Sequence, residues 1–197
     1  MKYLIAGLGN AGPEYELTRH NVGFLVLDRL ADNHKIDFKT ERLADRAELK
    51  YKGRHLHLIK PSTFMNLSGK AIAYWLQELK IPKENLLVIV DDIALPFGSL
   101  RLRAKGGPAG HNGLKNIELV LGSQDYARLR FGIGNDFSRG QQVDFVLTNF
   151  QQEEFAALPA LMDKSIDIIF SFCTIGVERT MNTFNERGRG KKVDPEG

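Results

Sequence analysis

The chain has 197 residues, 43% apolar and 26% charged, which excludes a disordered, collagen-like or membrane-spanning polypeptide. Its 27 Lys and Arg against 24 Asp and Glu leave a net charge of +3, too small to announce a polyanionic partner. The one cysteine, Cys173, cannot close a disulfide within the chain; set beside the run Ile168-Ile169-Phe170-Ser171-Phe172, it reads as a core thiol in a reducing compartment. The opening apolar run reaches Gly7 too soon for a signal peptide, and no apolar run approaches 18 residues, so the expected location is the cytoplasm, with no membrane partner.

In chain order, Tyr3 to Ala6 is a short apolar run stopped by Gly7-Leu8-Gly9-Asn10-Ala11-Gly12-Pro13, a strand feeding a loop. Val22, Leu25, Val26 and Leu30 carry helical spacing and predict a helix from about His20 to Asn33. Leu43 to Tyr51 and His55 to Ile59 alternate around Lys52-Gly53-Arg54, the pattern of a hairpin. Ile72, Trp75, Leu76 and Leu79 predict a second helix ending before Pro82. Leu86 to Val90 is continuously apolar, as in a strand covered on both faces. Leu100 and Leu102 alternate with Arg101 and Arg103, an edge-type strand. A helix over Asn116 to Leu121, a strand over Arg128 to Ile133 and one or two helices between Glu153 and about Asn185 complete the pattern. Strands and helices interleave throughout. The expected fold is a single α/β domain over residues 1–186, a mixed, mostly parallel twisted sheet with helices on both faces, followed by a flexible basic tail at 187–197.

Several strands run into polar residues: Ala6 towards Asn10, Ile59 towards Asn66, Val90 into Asp91-Asp92, and Arg103 into Gly106-Gly107-Pro108-Ala109-Gly110-His111-Asn112-Gly113. In open α/β sheets the ligand crevice lies beyond the carboxyl ends of the strands, so this set is a candidate site, although Asn, Asp and Gly are also ordinary turn-formers. Gly7 to Gly12 satisfies G-x-G-x-x-G, but Pro13-Glu14-Tyr15-Glu16 follows where a pyrophosphate-binding helix would have to open, which argues against a dinucleotide. His55 and His57 share a strand face without an evident third ligand, so no metal is expected, and G-x-S-x-G is absent. His20, at the start of a predicted helix and near the Asn10 loop, is either an exposed first-turn histidine or a general base whose ordinary pKa of roughly 6.5 suits neutral pH. From Ile93 to Ile117 the only charged residues are Arg101, Arg103, Lys105 and Lys115, a one-signed stretch that favours an anionic ligand. Alternation places Arg101, Arg103 and Lys105 on one face.

Five ordered blocks carry a resemblance. Gly7-Leu8-Gly9-Asn10-Ala11-Gly12-Pro13-Glu14-Tyr15 with Thr18-Arg19-His20-Asn21-Val22-Gly23, Lys60 to Gly69, Asp91-Asp92, Gly110 to Lys115, and Arg128 to Gly134 resemble bacterial peptidyl-tRNA hydrolases, in order and from Lys2 to about Asn185. The resemblance implies a cofactor-free monomer that hydrolyses the ester between a peptide and the 3′-terminal ribose of tRNA, bound through its acceptor stem and CCA end. It places the catalytic histidine on His20, its supporting aspartate on Asp91 and a residue that tells a blocked peptidyl amide from a free amine on Asn10. Substrate-contacting asparagines fall on Asn66 and Asn112, either of which could serve the oxyanion, with Tyr15, Phe64 and Met65 lining the same crevice. Arg101, Arg103, Lys105 and Arg130 are the expected phosphate contacts. Ala94 stands where the family pattern has a second acid, and Pro108 and Ala109 interrupt the usual glycine-rich approach to His111, which implies a stiffer loop. A non-catalytic RNA-binding protein on the same fold is the alternative reading.

Overall fold

The computed structural model describes residues 1–186, so the basic tail expected at 187–197 lies outside the described residues. Seven strands form one mixed sheet: β1 (Lys2–Gly7), β2 (Lys39–Glu41), β3 (Ala44–Tyr51), β4 (Arg54–Pro61), β5 (Leu86–Asp92), β6 (Leu100–Arg103) and β7 (Ala127–Gly132), in the order β2-β3-β4-β1-β5-β7-β6. The four central strands β4, β1, β5 and β7 run parallel, while β2, β3 and β6 pair antiparallel at the edges. Parallel pairing is therefore confined to the centre and makes up half of the strand pairs.

The sheet is covered on both faces. On one side α1 (Val22–His34) and α5 (Gln152–Ile175) bury Val22, Val26, Leu27, Leu30, Ile166 and Ile169 against Ile5, Leu56, Leu58 and Ile89. On the other, α2 (Ser68–Glu78) and α3 (Asn112–Leu121) bury Ile72, Trp75, Leu114 and Ile117 against Leu4, Ala6, Val88 and Val90. Alternate residues of β1 and β5 thus serve two cores, which is why Leu86 to Val90 is apolar without interruption. Full burial of each such side chain contributes about 1.5–3 kcal/mol before entropy is counted. A short helix, α4 (Gln142–Val146), and α6 (Val177–Phe184) complete the helices named among the described residues, α6 beginning where Gly176 (φ 85°) breaks from α5.

Two details place the site. Gly7 and Gly23 bring β1 and α1 into backbone contact: a Cβ on Gly23 would lie 2.4 Å from Leu8 N and 2.6 Å from Ile89 O, and one on Gly7 would lie 2.3 Å from Gly23 O. The glycines after β1 serve this approach and a loop, with a 3-10 turn at Pro13–Tyr15 and α1 opening only at Val22. No helix N-terminus stands behind Gly7 to Gly12 to hold a pyrophosphate.

The direction of β6 also differs from expectation. Leu100 pairs with Phe131 and Arg103 with Arg128, so β6 runs against β7 and its carboxyl end lies away from the edge where Asp91 sits. The segment after Arg103 must turn back to bring His111 to that edge. Lys105 lies beyond the end of β6, so strand alternation does not place it with Arg101 and Arg103.

Candidate active site

Two side chains flank the Asp91 carboxylate at the end of β5. His20, in the 3-10 turn Arg19–Asn21 that leads into α1, has Nδ1 at 2.9 Å from Oδ2 and 3.0 Å from Oδ1. His111, the residue before α3, has Nε2 at 2.8 Å from Oδ1. The tautomer of His111 follows from its other nitrogen. Nδ1 accepts the backbone N–H groups of Gly113 and Leu114 at 3.1 and 3.3 Å, capping α3, so the ring proton sits on Nε2 and is donated to Asp91. A histidine doing the work of a serine or aspartate cap explains why α3 starts at Asn112, four residues before the start suggested by the apolar spacing.

Asp91 is 4% exposed. Burial by itself would raise its pKa, but the charges and hydrogen bonds of His20 and His111 prevail and hold the carboxyl well below the usual carboxylate range. Burial pulls the pKa of His20 down, and the Asp91 carboxylate, by charge and by hydrogen bond, outweighs this and leaves it raised. With Nδ1–H donated to Asp91, the free lone pair of neutral His20 is on Nε2, which has no protein partner among the described residues. Asp92 faces elsewhere, accepting from Ala94 N at 2.8 Å and from Arg130 Nη1 at 3.2 Å. Of the two adjacent acids, Asp91 is the one that His20 meets.

His20, Asp91 and His111 line a cavity of about 190 Å³ with Asn10, Asn112, Arg130 and the inner side of α4. Asn10 is held at three points: its N–H donates to Asn21 Oδ1 at 2.9 Å, its carbonyl accepts from Asn21 Nδ2 at 2.8 Å, and its own Oδ1 accepts from Met65 N at 3.0 Å. The last bond orients the amide, leaving its NH₂ as the group without a protein partner among the described residues. Asn112 is exposed, occupies the first turn of α3, and has no protein hydrogen bond to its side chain among the described residues.

The remaining expected residues are distributed differently. Tyr15, Phe64, Met65 and Asn66, expected in the same crevice, do not line this cavity. Met65 is buried under α3 with its N–H on Asn10, Phe64 stands 74% exposed beside it, and Asn66 is exposed. Tyr15 closes the 3-10 turn, its carbonyl taken by Thr18. Arg130 is bonded to Asp92 Oδ2 at 3.2 Å and to Gly107 O at 3.0 Å. Opposite it on β6 lies Arg101, and opposite Arg103 lies Arg128. Such facing cations repel. Here the buried Arg128 turns onto the carbonyls of Gly107, Gln124 and Tyr126 and stacks on the Tyr126 ring at 4.1 Å. Arg128 and Arg130 thereby brace the loop in which Ala109 adopts a left-handed φ of 49°.

Two other clusters are built differently. A second cavity, about 320 Å³, lies on the far side of Asn10 among Glu16, Asp28 and Lys60, and His20 does not reach it. Glu48 on β3 faces His55 and His57 on β4, supplying across the strands the third metal-type side chain that sequence spacing could not show. Arg46 already stands in that group, bonded to Glu48 and 3.0 Å from His57 Nδ1, where a metal cation would have to go.

No helix among the described residues is long and apolar enough to cross a membrane. A family model described as peptidyl-tRNA hydrolase matches residues 4–194. A peptidyl-tRNA hydrolase of Bacteroides fragilis is 57% identical over 187 residues, 95% of this chain and the whole of that protein; one of Cytophaga hutchinsonii is also 57% identical with the same coverage. Among solved structures, a peptidyl-tRNA hydrolase in complex with N-propanol superimposes with a TM-score of 0.88 at 30% identity, over 95% of this chain and 96% of that one. The enzyme from Acinetobacter baumannii gives 0.87 at 31% identity, over 93% and 94%.

Proposed function

The chain belongs to the peptidyl-tRNA hydrolase family, and from that premise we propose that His20 is the general base of its reaction, with Asp91 as the carboxylate that holds and charges it. The reaction is hydrolysis of peptidyl-tRNA, an ester hydrolysis. Family membership with His20 and Asp91 both in place leaves a non-catalytic RNA-binding role without support.

The observation that carries the assignment is the 2.9 Å bond from His20 Nδ1 to a buried Asp91, which leaves Nε2 as a lone pair in the cavity. A water beside Nε2 loses its proton to His20 as its oxygen bonds to the ester carbonyl carbon. Asp91 then stabilises the imidazolium, a general-base contribution of roughly 10²- to 10⁴-fold. The carbonyl oxygen becomes an oxyanion. Asn112 is the better placed of the two candidate donors, because its side chain is unbonded and lines the cavity at the N-terminal end of α3, whereas Asn66 lies off the cavity. Collapse of the intermediate breaks the bond to the ribose 3′ oxygen, which takes the proton back from His20. Ester hydrolysis of this kind needs no cofactor. All the named groups come from one chain, so a monomer suffices.

Asn10 acts on the peptide side. With Oδ1 held by Met65 N–H, it offers an NH₂ donor, which fits a peptide carbonyl and mismatches the protonated amine of an unblocked aminoacyl-tRNA. Arg101 and Arg103, with Lys105 on the loop beyond, supply phosphate contacts that position the acceptor stem and its CCA end.

The test is His20→Ala. Turnover of an N-blocked peptidyl-tRNA should fall at least about 100-fold, with tRNA affinity and thermal unfolding nearly unchanged. A variant within about tenfold of the parent rate would remove His20 from the role of base.

A further inference from the structure

We infer that Arg19 is a positioning residue for this reaction: its guanidinium bolts α4, the roof of the catalytic cavity, to the turn that carries His20. The inference rests on the reading of that cavity as the active site. Gln142, Val143, Val146 and Leu147 line the cavity, yet none of the five residues of α4 is buried. Phe145 and Val146 are half-buried against the main core, but so short a helix, with no fully buried residue, has little packing to hold it in place. Its attachment comes from beneath.

Arg19 is 3% exposed and immediately precedes His20. Nη1 donates to the carbonyls of Phe145 and Thr148 at 3.2 and 3.4 Å, at the end of α4 and just past it. Nη2 donates to Glu154 Oε1 at 3.0 Å, and the same oxygen accepts from Gln151 N at 2.8 Å to cap α5. The guanidinium carbon stands 4.2 Å over the Phe145 ring. The backbone adds a parallel tie, with Arg19 N on Thr148 O at 3.1 Å and a bridge between Thr18 and Asn149. One planar group therefore joins the His20 turn, the foot of the roof and the start of α5.

A lysine ammonium cannot make this set of contacts, because it lacks the flat fork that meets two carbonyls, a carboxylate and a ring face together. Moving the roof relative to His20 would strip charge-assisted bonds from a buried cation. The apolar inner side of α4 thus meets the substrate in a fixed relation to the base. A displacement of about 1 Å in such a relation can cost as much as 100-fold.

The experiment compares the parent with Arg19→Lys and with Glu154→Gln, which retains the shape of the partner and removes its charge; these replace Arg19→Ala, which could fail to fold. Amide hydrogen exchange is followed over residues 142–150 and over β1 and β5, beside kcat and KM across pH on an N-blocked peptidyl-tRNA. For Arg19→Lys we expect exchange at 142–150 to rise about tenfold with the central strands unchanged. KM should rise about tenfold, kcat should stay within about threefold, and the acidic limb of the pH profile should not move, since His20 and Asp91 keep their bond. Glu154→Gln should move exchange and KM in the same direction by less. Parent-like exchange at 142–150 together with a parent-like KM in folded Arg19→Lys would overturn the inference. So would a fall in kcat with a shifted acidic limb and an unchanged roof, which would mean that Arg19 acts on His20 itself. The exchange measurement reads the roof whether or not His20 is the base, so the two assignments fail separately.

Discussion

Replacing Asp91 by asparagine should be more damaging than replacing it by alanine, and the reason lies in His111. The α3 cap takes the lone pair of His111 Nδ1, so Nε2 keeps its proton and needs an acceptor. In Asp91→Asn the amide oxygen is drawn to that proton, which turns the NH₂ towards His20 Nδ1. His20 must then accept at Nδ1 and carry its proton on Nε2, the wrong tautomer for a base. Two losses combine: a charge-assisted bond worth about 1.5–3 kcal/mol and the cost of reversing a neutral one, about 0.5–1.5 kcal/mol. Together they predict a fall in kcat/KM of roughly 30- to 2,000-fold at 1.36 kcal/mol per decade. Asp91→Ala loses the first and escapes the second, so it should be the milder variant in rate. Both remove the negative charge that raises the pKa of His20. The base is active when neutral, so rate is lost as pH falls through that pKa. In Asp91→Ala the acidic limb should therefore move to lower pH. The assay is kcat/KM from pH 5 to 9 on an N-blocked peptidyl-tRNA, with circular dichroism to confirm folding. An Asn variant as active as the Ala variant would refute the tautomer argument, and an unmoved limb in both would refute the pairing with His20.

Asn10→Asp keeps the acceptor for Met65 N–H and exchanges the free NH₂ for oxygen, so it should lower activity on N-blocked substrate and raise the relative rate on free aminoacyl-tRNA; an equal change on both would make Asn10 a structural residue. Arg103→Ala with Lys105→Ala should weaken different tRNAs about equally and flatten the slope of log K against log salt by roughly 1.4–1.8, with little change at saturation; parallel slopes would mean a merely solvated face. His57 is held down to about 4, first by burial and then by the charges of His55 and Arg46. Between its unfolded pKa of roughly 6.5 and that value, only the unfolded chain takes the proton. Stability should therefore fall on acidification across this window, by about 2–3 kcal/mol once partial solvent screening is allowed for. His57→Gln should lose most of that slope in urea unfolding at pH 7 and 4.5, and a slope equal to the parent's would show that another group carries it.

Local pattern carried the centre of the fold further than its edges. Leu86 to Val90 announces a strand between two layers, and Lys52-Gly53 a hairpin turn, because each signal is written in consecutive side chains. The direction of β6 is not: Leu100 to Arg103 alternate identically whether paired parallel or antiparallel, and only the path of the chain after Arg103 decides. α4 is five residues long with no fully buried residue, too short for a periodicity to be read. Within the site, His20, Asp91, Asn10 and Asn112 could be assembled from strand ends and the ordered motif blocks. His111 stands in one of those blocks, but its bond to Asp91 exists only in three dimensions, and its capping role falls to a residue type outside the usual cap signature. The separation of Phe64, Asn66 and Tyr15 from the cavity was likewise invisible, since nearness in a motif says nothing about which way side chains face.

The backbone contact between Gly7 and Gly23 sets limits for anyone who would stabilise this enzyme. Alanine in place of a mid-helix glycine ordinarily gains about 0.5–1 kcal/mol, and Gly23, one residue into α1, invites the exchange. Its methyl group would arrive 2.4 Å from Leu8 N and 2.6 Å from Ile89 O, both backbone atoms of the central sheet, so the helix would have to retreat. His20 rides on the N-terminal end of that helix, and Asp91 is anchored two residues beyond Ile89 on the strand left behind. A substitution chosen to improve folding would thus cost stability and also open the 2.9 Å bond between His20 and Asp91, on which the proposed proton transfer depends.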